Sequence, residues 1–119
     1  MPSLSPSSQG GNVVAVLPGR HWGKTTDRPL VIAAHWDAVP DSPGYNDNAS
    51  GVAALLEIAA TLANAKCLDN VYSIIFAALD LEEPGCLGSL ELIRTYLKPH
   101  FEDKGVVLQA RKERTVTNQ

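Results

Sequence analysis

Two apolar runs without a charged residue, at positions 29–34 and 71–79, constrain the fold of this chain more than any other feature. Continuous apolar runs of this kind are typical of strands that are buried on both faces of a parallel sheet. Residues 49–63 lie between them and carry apolar side chains at helical spacing, namely Val52, Leu55, Leu56, Ile58, Ala59 and Leu62. A strand, a helix and a second strand in this order predict an α/β fold, with a mostly parallel sheet and helices on its faces.

Three further segments extend this pattern. The β-branched run at 12–17 is closed by a Pro-Gly pair and predicts another strand. Residues 87–97 predict a second helix that Pro99 ends, with an apolar face formed by Leu90, Ile93 and Leu97. A short run at 105–110 could begin one more strand.

The length of 119 residues allows one small domain. Residues 1–11 are rich in Ser, Pro and Gly and are predicted to be disordered. Residues 12–110 are predicted to fold, and residues 111–119 to form an unstructured polar tail. The net charge of -3 and the lack of a basic stripe give no indication of a nucleic-acid partner. No membrane-spanning run or secretory signal is visible, which predicts either an intracellular chain or a piece of a longer one.

The cysteines and two of the three histidines give no indication of a function. Cys67 and Cys86 are too few for a disulfide scaffold and lack the C-x-x-C spacing of a metal site. They would pair only if the fold brought them close together, which the sequence leaves open. His21 and His100 lie in polar surroundings and are interpreted as surface residues.

A histidine and an aspartate follow the first apolar run, at His35 and Asp37. Residues two apart in an extended segment point the same way, so Asp37 can accept a hydrogen bond from one ring nitrogen of His35. That bond would fix the tautomer and strengthen the other nitrogen as a ligand for zinc. A capping histidine beside a turn aspartate would give the same pattern, and the pair alone leaves both interpretations open.

Asp47 lies in a turn between Gly44 and Gly51, directly before the first predicted helix. A carboxylate is common at this position because the helix dipole favours it. However, Asn48 already offers a cap, and the two glycines indicate a backbone held close to another group. A carboxylate has two oxygens, so Asp47 could also bridge two cations.

The adjacent pair Glu82 and Glu83 follows the second apolar run. Neighbouring carboxylates repel each other unless positive charge is nearby, although a solvated loop would also tolerate them. Their side chains leave a strand in different directions, so one can bind a metal while the other stays free as a general base. The carboxyl ends of parallel strands meet at one edge of a sheet, where we expect five residues to collect: His35, Asp37, Asp47, Glu82 and Glu83.

With these motifs in this order, residues 12–97 resemble the co-catalytic di-zinc aminopeptidases of peptidase clan MH, of the aminopeptidase Y, aminopeptidase S and bacterial leucyl aminopeptidase type. Four blocks carry the resemblance: residues 12–19, 34–37, 44–51 with the helix that follows, and 80–89. They correspond to the front part of the family's catalytic domain. The resemblance implies a truncated form of a three-layer fold, in which helices flank a mostly parallel mixed sheet.

The resemblance also implies a role for each residue at the sheet edge. His35 matches a ligand of one zinc ion, Glu83 a ligand of the other, and Asp47 the aspartate that bridges both. Glu82 matches the general acid/base and Asp37 the carboxylate that orients His35. The peptide bond after Asp47 is expected to be cis.

The implied activity is hydrolysis of peptide bonds by metal-activated water, with two zinc ions per site and a peptide with a free N-terminus as substrate. No residue of this chain is assigned to substrate binding. Relatives of this type are often secreted, lysosomal or vacuolar, and the sequence leaves the location open.

Two later ligands of the family, an acid and a histidine, have no counterpart here, since residues 106–109 contain no carboxylate. This predicts a fragment or truncated form that binds zinc weakly, shows no measurable turnover and associates with itself through exposed sheet surface. The alternative is a non-catalytic relative that keeps the scaffold as an interaction module. The single-zinc glutaminyl cyclase branch of the fold is disfavoured, because residues 47–51 fit the peptidase pattern better.

Overall fold

The computed structural model describes residues 10–106, which form a three-stranded sheet with helices packed against it. The strands are β1 (Val13–Leu17), β2 (Leu30–His35) and β3 (Ile74–Leu79). Helix α1 (Ser50–Asn64) follows a kinked turn at Tyr45–Ala49, in which Asp47 and Asn48 are not helical. Helix α2 (Leu87–Leu92) continues through helical turns at Ile93–Leu97 and Lys98–His100. A last turn spans Glu102–Lys104. The predicted tail, most of residues 1–11 and most of the candidate strand at 105–110 lie outside the described residues.

The sheet is mixed, with the strand order β1-β3-β2. Strand β2 runs parallel to β3, because α1 carries the chain back before β3 begins, and β1 pairs antiparallel with the other edge of β3. The described part of the sheet therefore contains one parallel and one antiparallel pairing, and the expectation of a mostly parallel sheet is confirmed only for β2 and β3. His35 is the last residue of β2 and lies opposite Leu79, the last residue of β3.

Alternate residues of β3 face two different apolar clusters. Ile75 and Ala77 are fully buried and belong to the cluster that includes Leu92 of α2, whereas Phe76 packs with Leu55 of α1. Since successive residues of a strand point to opposite faces, the two helices cover opposite faces of the central strand. The expectation of burial on both faces holds for β3 but not for β2, whose Leu30 is 57% exposed at the edge of the described sheet.

The buried face of the second helix differs in part from the predicted one. Leu97 is buried as predicted, but Leu90 and Ile93 are 41% and 48% exposed, and Leu92 is buried. The helix widens at Ile93–Leu97, where the Lys98 N–H bonds to the Ile93 carbonyl oxygen, five residues back. This widening brings residues five apart onto one face, and helical conformation continues to His100 instead of ending before Pro99.

Two polar networks fix the loops that flank the sheet. The buried Asp27 carboxylate accepts hydrogen bonds from the Ser73 N–H and hydroxyl, at 3.0 and 2.7 Å, directly before β3 begins. After β3, Asn12 accepts a bond from the Asp80 N–H and donates one to the Gly88 carbonyl. Gly88 is required there, because a Cβ atom at this position would overlap the Asp80 carbonyl oxygen.

Candidate metal centre

The functional candidates come from two neighbouring strand ends and one helix start. His35 ends β2, and Asp37 follows it by two residues. Glu82 and Glu83 follow the end of β3, and Asp47 lies in the turn before α1. The parallel register of β2 and β3 thus brings four of the five residues to one edge of the sheet, and the start of the intervening helix adds the fifth.

Three side chains converge closely enough to hold one cation. His35, Asp47 and Glu83 each offer a ligand atom, and these atoms all lie within 4.8 Å of one another. The Nε2 atom of His35 is 2.9 Å from Oδ1 of Asp47 and 3.8 Å from Oε2 of Glu82. The other ring nitrogen faces Asp37, so the four acidic candidates surround the imidazole of His35.

The hydrogen-bond acceptors around His35 indicate which ring nitrogen of the neutral imidazole carries the proton. Its Nδ1 atom lies 3.1 Å from the backbone oxygen of Asp37 and 3.3 Å from Oδ1 of the same residue. Both neighbours accept hydrogen bonds, so Nδ1 carries a proton and Nε2 can offer a lone pair. Nε2 and Oδ1 of Asp47 are then two electron-pair donors at 2.9 Å, an arrangement that requires a proton or a cation between them. The donor set therefore fits a divalent metal.

The pKa shifts indicate that the site favours positive charge. Burial lowers the pKa of His35, but the hydrogen bond to Asp37 and the charge of Glu82 outweigh it, so that the pKa is raised above its ordinary value. Burial also raises the pKa of Glu83, and the negative charges of Asp47 and Glu82 raise it further. A bound cation would relieve the repulsion among these carboxylates.

Asp37 has more partners than the sequence indicates. Its Oδ1 accepts a hydrogen bond from the Glu82 N–H and its Oδ2 one from the Glu83 N–H, each at 3.0 Å. Burial raises the pKa of Asp37, yet these two bonds outweigh it, and the pKa falls below its usual value. Asp37 therefore contacts both strand ends of the site as a carboxylate.

The turn around Asp47 is tightly packed, as its glycines indicate. A Cβ atom at Gly44, where φ is 68°, would lie 2.7 Å from that of Ala38, and one at Gly51 would overlap Oδ1 of Asn48. The same Asn48 oxygen accepts a hydrogen bond from the Gly51 N–H. The peptide bond between Asp47 and Asn48 is cis, as the resemblance implies.

The loop after β3 contains one nearby group that the sequence pattern did not indicate. The Cys86 thiol lies 3.6 Å from Oε1 of Glu82. The hydrogen bond and the negative charge of Glu82 raise the pKa of this thiol. In the sequence, Glu82 and Cys86 are four residues apart. This spacing predicts a contact between their side chains only if the chain forms a helical turn there. Cys67 and Cys86 are both exposed free thiols, so they do not pair with each other in the part of the chain that the structure describes.

The other two histidines lie apart from this cluster. His21 bonds to the Thr26 hydroxyl and packs edge-on against Tyr72, while His100 bonds to the backbone oxygen of Tyr96. Across residues 10–106, the only cluster with metal-ligating potential is His35, Asp47 and Glu83. Within the same stretch, the helices are too short or too polar to cross a membrane.

Several known proteins are similar to this chain. A probable zinc metalloprotease of Pyricularia oryzae is 36% identical over 104 residues, which cover 81% of this chain and 20% of that protein. Aminopeptidase YwaD of Bacillus subtilis is 47% identical over 60 residues, covering 50% of this chain and 12% of YwaD. Aminopeptidase Y of Saccharomyces cerevisiae is 40% identical over 63 residues, covering 53% of this chain and 11% of that enzyme. This chain therefore spans a fifth or less of the length of these relatives.

No solved structure matches the chain significantly. The model of peptidase family M28 matches residues 12–110, which include both strand ends, the turn before α1 and the helices that cover the sheet. The resemblance drawn from the four sequence blocks is thereby confirmed. The chain belongs to peptidase family M28.

Proposed function

We propose that this chain supplies part of the catalytic centre of a zinc-dependent exopeptidase of the aminopeptidase type. The observation that carries the proposal is the convergence of ligand atoms of His35, Asp47 and Glu83, while Nδ1 of His35 faces the oxygens of Asp37 and leaves Nε2 as the ligand atom of the neutral imidazole. The names of the relatives, which include aminopeptidases and zinc metalloproteases, agree with this chemistry. We also propose that the described sheet is part of a three-layer zinc-peptidase fold, since helices cover both faces of β3.

Each residue has a distinct role in the proposed site. His35 would hold one zinc ion through Nε2, Glu83 would hold a second, and Asp47 would bridge the two ions. Zinc bound there would supply Lewis-acid activation of water and of the substrate carbonyl group. Asp37 keeps the proton of His35 on Nδ1, and this fixes Nε2 as the ligand atom.

Glu82 is proposed as the general base. Its carboxylate lies beside the cluster, 3.8 Å from Nε2 of His35, and its side chain is 42% exposed, so that water and substrate can reach it. It would accept a proton from the attacking water and deliver it to the leaving amine nitrogen. The substrate would be a peptide with a free N-terminus, and the product an N-terminal amino acid.

A zinc titration of the chain tests the proposal. We expect His35→Ala, Asp47→Ala and Glu83→Ala each to weaken zinc binding by at least about tenfold, because each removes a ligand. Glu82→Gln should leave the affinity nearly unchanged. His100→Ala is the matched control, since His100 is exposed, bonds to the backbone oxygen of Tyr96 and is not a member of the cluster. A His35→Ala chain that binds zinc as tightly as the unmodified chain would refute the assignment.

A further inference from the structure

The carboxylate of Asp37 joins three residues of the site, on two strand ends, through three hydrogen bonds. Its Oδ1 accepts the N–H of Glu82 at 3.0 Å and faces Nδ1 of His35 at 3.3 Å, while its Oδ2 accepts the N–H of Glu83 at 3.0 Å. The side chain is 14% exposed, so water competes weakly for these bonds. An orienting role toward His35 alone would require only one of the three.

Two consecutive N–H groups reach one carboxylate only if the chain turns, because successive N–H groups of an extended strand point in opposite directions. The chain turns at Glu82, whose carbonyl oxygen accepts the N–H groups of Gly85 and Cys86. Leu81, directly before the pair, has a φ of 54°, a left-handed conformation that is rare for a leucine. Its own N–H bonds to Oδ1 of Asp80, and its carbonyl accepts the Leu87 N–H. The backbone thus presents Glu82 and Glu83 as a pair of adjacent donors.

We propose that Asp37 is a positioning residue for the glutamate pair as well as for His35. By holding both backbone N–H groups, it fixes where the Glu82 and Glu83 side chains begin. The same carboxylate then sets the geometry of the histidine ligand, the glutamate ligand and the general base. The names of these roles rest on the proposed function. The two hydrogen bonds from the Glu82 and Glu83 N–H groups to Asp37, called the clamp below, rest on the geometry alone.

Replacement of Asp37 by asparagine is the sharpest test, since it keeps the size and removes one acceptor. An asparagine offers one oxygen to three donors, and its NH2 group must then face at least one of them. In one orientation of the amide the Glu83 N–H loses its acceptor. In the other the Glu82 N–H loses its acceptor, and His35 keeps only the backbone oxygen of residue 37. Asp41→Asn is the matched control, because Asp41 is exposed in the same loop.

Amide hydrogen exchange of the metal-free 119-residue chain measures the clamp directly. In Asp37→Asn, exchange at Glu82 or Glu83 should accelerate by at least about tenfold. The reason is that a hydrogen bond to a charged acceptor lowers the exchange rate of its N–H group by more than a factor of about ten. The amides of Ile75 and Ala77 in the core of β3 should keep their rates, and Asp41→Asn should change none of the four. Unchanged exchange at both glutamates would overturn the proposal, and so would equal acceleration at Ile75 and Ala77, which would indicate global loosening.

A second readout separates this proposal from the proposed function. Cobalt(II) added to the chain should give visible absorption bands that Asp37→Asn shifts and Asp41→Asn leaves in place. Asp47→Asn should abolish these bands while leaving exchange at Glu82 and Glu83 in the metal-free chain unchanged. Absence of cobalt bands in the unmodified chain would refute the metal site, and the clamp would still be decided by the exchange rates. Cobalt bands that are identical in Asp37→Asn and the unmodified chain would show that Asp37 does not position the ligands.

Discussion

At the scale of single residues, His35 organises the centre because its two ring nitrogens face different partners. Nδ1 is enclosed by oxygen acceptors of Asp37, and Nε2 faces the carboxylates of Asp47 and Glu82. This division follows from the end of β2, where residues two apart share a direction. The sequence alone predicted the contact between His35 and Asp37 for that reason.

The adjacent glutamates should respond differently to the same substitution. In the active protein, Glu82→Gln should leave zinc content nearly unchanged and lower turnover by about 10²–10⁴-fold, the usual range for loss of a general base. Glu83→Gln should lower zinc content, because it replaces a charged ligand by a neutral amide. Metal analysis after dialysis and an amino-acid arylamide assay on the same samples give both quantities. Loss of zinc from Glu82→Gln would mean that the two roles are reversed.

Zinc affinity should rise with pH. The pKa values of His35 and Glu83 are both raised in the metal-free chain, so their protonated forms are favoured and compete with the metal. The stability that His35 gains from protonation is fully present below its ordinary pKa of 6.5 and is lost as the pH rises through the raised value. Titrations with zinc between about pH 5.5 and 8 should show binding that strengthens over that same interval. An affinity that is independent of pH would contradict protonation of His35 in the metal-free state.

At the scale of elements, the apolar runs predicted β1, β2, α1 and β3 to within a few residues, because their patterns depend on local burial. The face of the second helix was predicted correctly at Leu97 but wrongly at Leu90 and Ile93. A regular period of 3.6 residues places Leu90 and Ile93 inside with Leu97, whereas the widened turn at Ile93–Leu97 puts Leu92 on the buried face with Leu97. The bonds from Asp37 to the glutamate backbone could not be predicted either, since they depend on the path of the chain after β3, where the left-handed residue is a leucine, a residue type that gives no sign of it.

The loop that carries the glutamates should depend on Gly88. A Cβ atom there would overlap the Asp80 carbonyl oxygen, so Gly88→Ala should destabilise the chain by about 1–3 kcal/mol, as other overpacked sites do. Gly11→Ala is the matched control, because no atom of residues 10–106 lies within 4 Å of the position that its Cβ atom would take, and it should change stability by less than about 0.5 kcal/mol. Denaturant unfolding of the two variants measures the difference. Equal unfolding midpoints of the two variants would show that the backbone around Asp80 shifts to accommodate the added methyl group without loss of stability.

At the scale of the whole molecule, the described sheet has two edges, at β1 and β2. Val13 is 66% exposed on the first and Leu30 57% exposed on the second, and Leu56 of α1 is 63% exposed. Unpaired strand edges with exposed apolar side chains favour association between chains.

Association of the 119-residue chain should therefore depend on its edge strands. Leu30→Lys should lower the association constant, because a charged side chain on an edge opposes pairing with another copy. Leu68→Lys, a change of the same kind in a surface turn where Leu68 is 38% exposed, should leave it unchanged. Sedimentation velocity over a range of concentrations compares the two. A chain that stays monomeric at all concentrations would show that the exposed edge strands do not cause association.

The alignment of His35 with Leu79 has one more consequence. Side chains alternate between the faces of a sheet, so a slip of β2 by a single residue along β3 would turn His35 and Asp37 away from the glutamates. The convergence of these side chains therefore depends on a single register of β2 against β3. A chain that folds with the wrong registry can keep its sheet and much of its apolar burial, yet it would have no chelating site at all.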